Sequence, residues 1–245
     1  MMNQLESYFF QEISTIFRPA QGCLQHPFLV PGGIFHDQLW DWDSFWIAKG
    51  LLFLTREVSE PTAQEFVLHA KGSWINFFLN QAPNGTVPIM VKSDNPDFFE
   101  CSLHRGRNQA KPVFGQFALE IAEHTGDVSW IAPHFDGLMK FYARWIAEYG
   151  TEAGLLVWGC DVAIGVDNDP TTYGRPEFSS ANLLLNCLFY QDVMAAQEVA
   201  KRLGRAADVQ ALQQWADQVG GAIQRECWDE SDGFFYTVDV QSADH

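Results

Sequence analysis

Basic residues are scarce in this sequence: 15 Lys and Arg stand against 31 Asp and Glu, a formal net charge of −16. A nucleic-acid partner needs a basic footprint and an anionic membrane surface attracts one, so the balance argues against both. The five cysteines (Cys23, Cys101, Cys160, Cys187 and Cys227) are odd in number and scattered, with no C-x-x-C pair. That argues against a disulfide framework and a structural zinc site. No apolar run approaches the ~20 residues of a membrane span. The start, Met1 to Tyr8, lacks the basic residues and apolar stretch of a signal peptide. A soluble, cytoplasmic protein is expected.

Familiar catalytic signatures are missing too. There is no G-x-S-x-G elbow, no P-loop, no G-x-G-x-x-G and no H-E-x-x-H. The histidines (His26, His36, His69, His104, His124, His134 and His245) show no metal-ligand spacing. No metal or cofactor is expected. Asn84-Gly85-Thr86 fits a glycosylation sequon but reads as a turn in a chain without a secretory leader.

What is abundant is apolar mass. Hydrophobic residues make up 47% and charged residues 19% of 245, enough for a sizeable core in one large domain or two small ones. Helical periodicity marks the blocks Leu5–Phe17, Asp43–Thr55, Thr62–Asn80, Lys111–His124, Val128–Tyr149, Ser179–Leu203 and Ala206–Cys227, the last pair hinged at Gly204. Strand signal is confined to Gly233–Val240, after the turn Asp229–Gly233. The connectors 19–33, 83–97 and 150–178 are long, and long loops in a compact domain are usually functional. The expected fold class is all-α, an array of helical hairpins with one short strand or hairpin near the C-terminus.

Two segments concentrate chemistry. Residues 40 to 46 read Trp-Asp-Trp-Asp-Ser-Phe-Trp, three indoles and a phenyl ring among two carboxylates. Flat rings beside carboxylates suit a sugar, whose C–H faces stack on indole and whose hydroxyls need charged acceptors. The competing reading is a helix N-terminus, with Asp41 or Asp43 capping and the rings packed as core. The second segment is Gly165-Val166-Asp167-Asn168-Asp169-Pro170, at the centre of an acidic loop. Two carboxylates two residues apart repel, so one tends to keep its proton to higher pH, as protonation of a glycosidic oxygen requires. An ordinary turn reads equally well there, and a solvated acidic loop or a calcium site also competes, though the EF-hand glycine is absent.

Taken in order, the segments resemble a known family. Gln38-Leu39-Trp40-Asp41-Trp42-Asp43-Ser44-Phe45 looks like the Trp-Asp-Ser sugar-binding segment of the trehalase-like (α/α)6-barrel glycosidases, in particular glycoside hydrolase family 63. That group includes α-glucosidases and mannosylglycerate hydrolases. Asn84-Gly85-Thr86-Val87-Pro88 is similar to its G-x-[IV]-P loop, and Gln109-Ala110-Lys111-Pro112-Val113 to its Gln-Pro-Pro helix start. Gly165 to Pro170 resembles the S-G-x-D-N-S-P loop that carries the general acid. Trp228-Asp229 through Tyr236 resembles the family's W-D-x-x-x-G-x-[FY]-Y stretch. Ile164 and Asp169 depart from the pattern, each standing where Ser is usual.

The resemblance implies an inverting α-glycosidase acting on a small oligosaccharide or glycoside, with Asp167 as general acid. It places Trp42 and Asp43 at the sugar, lined by Trp40, Gln109, Trp158 and Asn168. Arg175 and Lys111 would meet a charged aglycone. The family's general base lies far downstream and is expected outside this chain. Seven helices here occupy about 32 residues each, so the twelve of a closed toroid would need roughly 390. Residues 1–245 are therefore expected to form the N-terminal portion of a single (α/α)6-barrel catalytic domain, about half of it, completed by a complementary chain or by self-association. The alternatives are a carbohydrate-binding or assembly protein that does not cleave, and an (α/α)6-barrel sugar epimerase or isomerase.

Overall fold

The computed structural model describes residues 12–103 and 108–240. Six α-helices organise them: α1 (Asp41–Leu54), α2 (Glu60–Leu79), α3 (Phe114–Thr125), α4 (Phe135–Tyr149), α5 (Leu183–Arg202) and α6 (Ala206–Ala222). Helix α1 packs on α2 and α3, α3 packs on α5, and α5 packs on α6. The odd-numbered helices thus form one row with the even-numbered helices against it, the alternation of a helical-hairpin array. The all-α expectation holds, and the described residues do not close a ring. None of the helices is long and apolar enough to cross a membrane.

Aromatic side chains join the rows. Trp74 of α2 is fully buried and donates its indole N–H to the Phe114 carbonyl at 2.8 Å. Phe114 meets Phe77, Phe78 and Phe141 at centroid distances of 5.0, 5.4 and 5.4 Å, and Tyr142 meets Phe189 edge-on at 5.8 Å. Such pairs contribute about 0.5–1.5 kcal/mol each beyond the area they bury. Helices α3 and α5 touch through Gly115, where a Cβ would lie 2.2 Å from the Asp192 carbonyl oxygen.

Among the described residues, eight short strands pair antiparallel at the helix ends: β1 (Phe17–Arg18) with β2 (Phe28–Leu29), β3 (Gln38–Trp40) with β4 (Met90–Lys92), β5 (Ser180–Ala181) with β8 (Val238–Asp239), and β6 (Trp228–Asp229) with β7 (Phe234–Phe235). The expected C-terminal strand is therefore two short strands, and only its first part forms the hairpin. The other pairings leave no sequence signal, because two or three residues carry no alternation to read.

Several boundaries differ from the sequence periodicity. Helix α1 begins two residues early, at Asp41, directly after β3. The block Val128–Tyr149 is not one helix: Pro133 lies in a 3-10 segment, Ser129–His134, and α4 starts after it. Proline lacks the N–H that a continuous helix requires. The block Ser179–Leu203 loses its first residues to β5, and Ala206–Cys227 ends in a π turn over Ile223–Cys227. Residues 5–11 of the expected opening helix lie outside the described residues, as do His104, His245 and the last residues of the chain; Ser14–Ile16 form a 3-10 turn.

Candidate functional site

The start of α1, the segment leading into α3 and the loop 150–178 come together, tied by an ion pair that the periodicity does not reveal. Asp41, the first residue of α1, is fully buried. One of its carboxylate oxygens accepts the Trp42 backbone N–H at 2.7 Å, and the other accepts the Lys111 backbone N–H at 2.7 Å. The Lys111 ammonium, 2% exposed, lies 3.0 Å from Asp41 and donates to the Ala163 carbonyl at 3.0 Å. It also stands 5.3 Å from the centroid of the Trp42 ring. Burying two charges is costly, and the extra backbone hydrogen bonds on Asp41 supply the compensation such a pair needs. Lys111 has no solvent-facing ammonium for an aglycone, so that expectation is replaced by a structural contact.

The loop 150–178 packs across this pair. Gly165 has φ +92, and a Cβ there would lie 2.3 Å from Cζ2 of Trp42. Ala163 and Asn168 are also left-handed, at φ 57 and 59. Left-handed geometry is unremarkable for Asn but costs an alanine roughly 1–2 kcal/mol. The loop holds these conformations because buried asparagines replace secondary structure as backbone partners. Asn108 donates to the carbonyls of Cys160 and Val162 at 3.0 and 2.7 Å and accepts the Gly159 N–H at 2.8 Å. Asn186 accepts the Leu156 N–H and donates to the Leu156 carbonyl, both at 2.8 Å. Asn182 caps α5 by accepting the Leu185 N–H at 3.1 Å, and donates to Asp169 at 2.9 Å.

Asp169 also accepts from the Thr171 N–H and hydroxyl, at 2.9 and 2.8 Å. It anchors the turn, which gives a physical reason for an aspartate where the resembling family has Ser. Of the readings for the Asp-Asn-Asp segment, the turn thus accounts for Asp169. Asp167 and Asn168 lie on the exposed side of the loop. Arg175, also exposed, pairs with Asp239 of β8.

Asp43, on the first turn of α1, is half-buried. Desolvation, then the neighbouring Asp41 charge, pushes its carboxyl above the usual range, and Lys111 opposes the rise. Gln109 is 1% exposed, and neither its amide nitrogen nor its amide oxygen has a hydrogen-bond partner among the described residues. An unpaired buried polar group costs about 1–3 kcal/mol, so such a side chain needs an explanation. The remaining aromatics divide. Trp42 lies beneath Gly165, as above. Trp40 donates to the Gln38 side chain at 2.8 Å and sits between Phe35 and Phe99, with centroids 5.8 and 5.7 Å away. Trp158 is 2% exposed and packs edge-on against Trp145 at 5.9 Å, as a core residue does.

Residues 40–46 do start a helix, but Asp41 is its first residue and not its cap: the N-cap is Trp40, which makes no side-chain cap bond. The Asp41 carboxylate serves Lys111, while Trp42 is left beside the acidic loop. Sequence reasoning misses Asn108, Asn182, Asn186 and the role of Lys111. Among the described residues, no group of three or more His, Cys, Asp or Glu is placed to hold a metal ion. A groove of about 630 Å³ lies elsewhere, between α5 and α6, lined by Leu183, Cys187, Tyr190, Ala216, Gly220 and Phe235 among others.

Comparison with known proteins bears on this arrangement. Residues 36–245 match the model of the mannosylglycerate hydrolase MGH1-like glycoside hydrolase domain. A solved structure of the GH63 mannosylglycerate hydrolase from Thermus thermophilus in complex with glucose is similar over 94% of this chain and 66% of its own, at TM-score 0.65 and 16% identity. The same hydrolase in complex with Tris and D-glycerate is similar at TM-score 0.64 and 17% identity, over 94% of this chain and 67% of its own. An uncharacterised conserved protein from the same organism is similar at TM-score 0.66 and 17% identity, over 94% and 65%. The chain therefore spans about two thirds of the length of these neighbours. No curated protein sequence matches it.

Proposed function

Because the chain belongs to the mannosylglycerate hydrolase MGH1-like glycoside hydrolase family, we propose that it supplies the general acid and part of the sugar pocket of an inverting α-glycosidase. The observation that carries this reading is the contact between Gly165 and Trp42. It brings the aspartate-bearing loop onto the Trp-Asp segment, although the two lie more than a hundred residues apart in sequence. In the proposed mechanism Asp167 protonates the glycosidic oxygen as the bond breaks. Asp43 accepts hydrogen bonds from sugar hydroxyls beside the Trp42 ring. The unpaired amide of Gln109 supports a further polar contact with the sugar. Asn168 flanks the acid, with Trp40 and Trp158 behind the pocket.

Inversion requires water to attack from the opposite face, with a base carboxyl roughly 6.5–9.5 Å from the acid. We assign that base to a part of the (α/α)6 barrel outside residues 1–245, so that this chain is the N-terminal portion of one catalytic domain. Coverage of about two thirds of the neighbours supports that division. The proposed substrate is an α-hexoside of a small hydroxy acid, because the similar hydrolase has been observed with glucose and with D-glycerate. Arg175 would exchange Asp239 for the carboxylate of that acid.

The test is Asp167→Asn in the protein together with the polypeptide that completes the barrel. Hydrolysis of an α-hexosyl glycerate is expected to disappear while glucose binding by calorimetry persists. Undiminished hydrolysis would overturn the acid assignment. The same shortfall in length favours a second reading, a sugar-binding chain that does not cleave. Binding without turnover in the completed barrel would support that reading. Turnover by residues 1–245 alone would place the base within them.

A further inference from the structure

Buried asparagines brace the acid-bearing loop from below, and Lys111 ties it to Asp41 at the start of α1. Both ends of Lys111 are fixed on Asp41, whose carboxylate accepts its backbone N–H at 2.7 Å and its ammonium at 3.0 Å. The ammonium then reaches across to the Ala163 carbonyl at 3.0 Å. Ala163 is a non-glycine residue in left-handed backbone, and two positions later Gly165 meets the Trp42 ring. Asp167 itself is exposed, and no hydrogen bond to a described residue fixes its carboxylate. Its placement must come from the backbone that carries it.

We propose that Lys111 is a positioning residue: a latch that holds the loop 161–169 over Trp42 and so sets where Asp167 meets the substrate. The proposal rests on the reading of Asp167 as the general acid, and it names the source of that acid's orientation. Three features make Lys111 suited to the task. Its charge cannot relax toward water, because the side chain is buried. Its partner Asp41 is fixed by two backbone N–H groups, so the ammonium has a defined position. Its bond to Ala163 is charge-assisted, and such bonds are the stronger class. It stabilises a backbone conformation that an alanine does not hold by preference.

Lys111→Met in the full chain removes the latch and keeps the apolar stem. Amide hydrogen exchange is expected to rise at least tenfold across residues 161–166 while α4 and α5 keep their protection. Ala163→Gly added to that variant is expected to restore much of the protection, because glycine adopts the left-handed conformation without strain. Rescue of this kind separates a latch from a simple core ion pair, whose loss an added glycine would not repair. If Lys111→Met does not fold, Lys111→Gln decides the matter. Its amide keeps a donor for Asp41 and is too short to reach Ala163 as well. In the completed barrel, either folded variant is expected to lower kcat on an α-hexosyl glycerate at least tenfold, with KM changed by less than about twofold. Unchanged exchange in the loop, or a uniform rise that Ala163→Gly leaves in place, overturns the latch. Activity surviving in Asp167→Asn would instead overturn the acid assignment and leave the exchange result standing.

Discussion

Gly165 and Trp42 share a contact that no other residue type at position 165 could make: the Cβ of any replacement would lie 2.3 Å from the indole carbon Cζ2. The indole has little room to retreat, with the Lys111 ammonium beside its ring. Gly165→Ala is therefore expected to displace the loop and cost about 1–3 kcal/mol by overpacking, with additional strain from the positive φ. Gly174→Ala is the control: its φ is +71, and nothing lies within 4 Å of its Cβ position. Urea denaturation of the two variants measures the difference. Equal losses would mean that backbone strain alone accounts for the effect and that the Trp42 contact is dispensable.

Asp192 provides a pH signature. It is fully buried on α5, accepts the Gln116 N–H of the first turn of α3 at 2.7 Å, and accepts the Tyr142 hydroxyl at 2.7 Å. Burial pushes its carboxyl up to about 6. A raised folded-state value means that the folded protein binds the proton more tightly. The associated stability is present in full below the ordinary carboxylate range and is lost as pH rises to about 6. Stability measured by urea from pH 4 to 7 should fall over that window by up to on the order of 3 kcal/mol. In Asp192→Asn the dependence should flatten. In Tyr142→Phe, which removes a donor to the ionised form, it should extend to higher pH.

Asn186→Ala tests the support beneath the loop. The substitution leaves the buried N–H and carbonyl of Leu156 without their side-chain partners. The expected loss is about 2–6 kcal/mol, at 1–3 kcal/mol for each orphaned group. Asn186→Asp keeps the acceptor and loses the donor, so its cost should include an unpaired buried charge. A thermal denaturation series in which Asn186→Ala matches the parent would remove Asn186 from the account of the loop.

Asp43 is expected to make sugar binding sensitive to acid at a higher pH than an ordinary carboxylate would. Desolvation and Asp41 raise its carboxyl, so its ionised form is lost early as pH falls. Glucose affinity by calorimetry should decline on the acid side and level out in Asp43→Asn. That variant should also be at least as stable as the parent near neutrality, since it removes a charge that burial disfavours. Lower stability together with unchanged affinity would place Asp43 in the scaffold and not at the sugar.

The helices are legible in the sequence because buried faces repeat with the helical period, as Phe66, Ala70, Trp74 and Phe77 do along α2. The proposed site stands out in the sequence because Trp42 and Asp43, or Asp167 and Asn168, combine residue types that neither a plain core nor a plain surface requires. The hidden part consists of side chains bonded to backbone. Asn108, Asn182 and Asn186 hold the loop through a few bonds each to residues distant in sequence, which leave no periodicity behind. Lys111 misleads for a related reason: a lysine next to a proline reads as a surface charge, and only the fold reveals that Asp41 waits for it. Trp158 shows the opposite error, since an indole in a chemically loaded loop reads as pocket lining and packs instead against Trp145.

The burial of the Lys111–Asp41 pair separates two responses to ionic strength. A chain of net charge −16 repels itself, and added salt screens that repulsion over a Debye length of about 10 Å at 0.1 M. Counter-ions cannot enter between two side chains that are 2% and 0% exposed, so the attraction holding the loop is screened far less. The molecule as a whole is expected to gain stability as salt rises, while the tie between the start of α1, the entry to α3 and the loop 150–178 stays nearly constant.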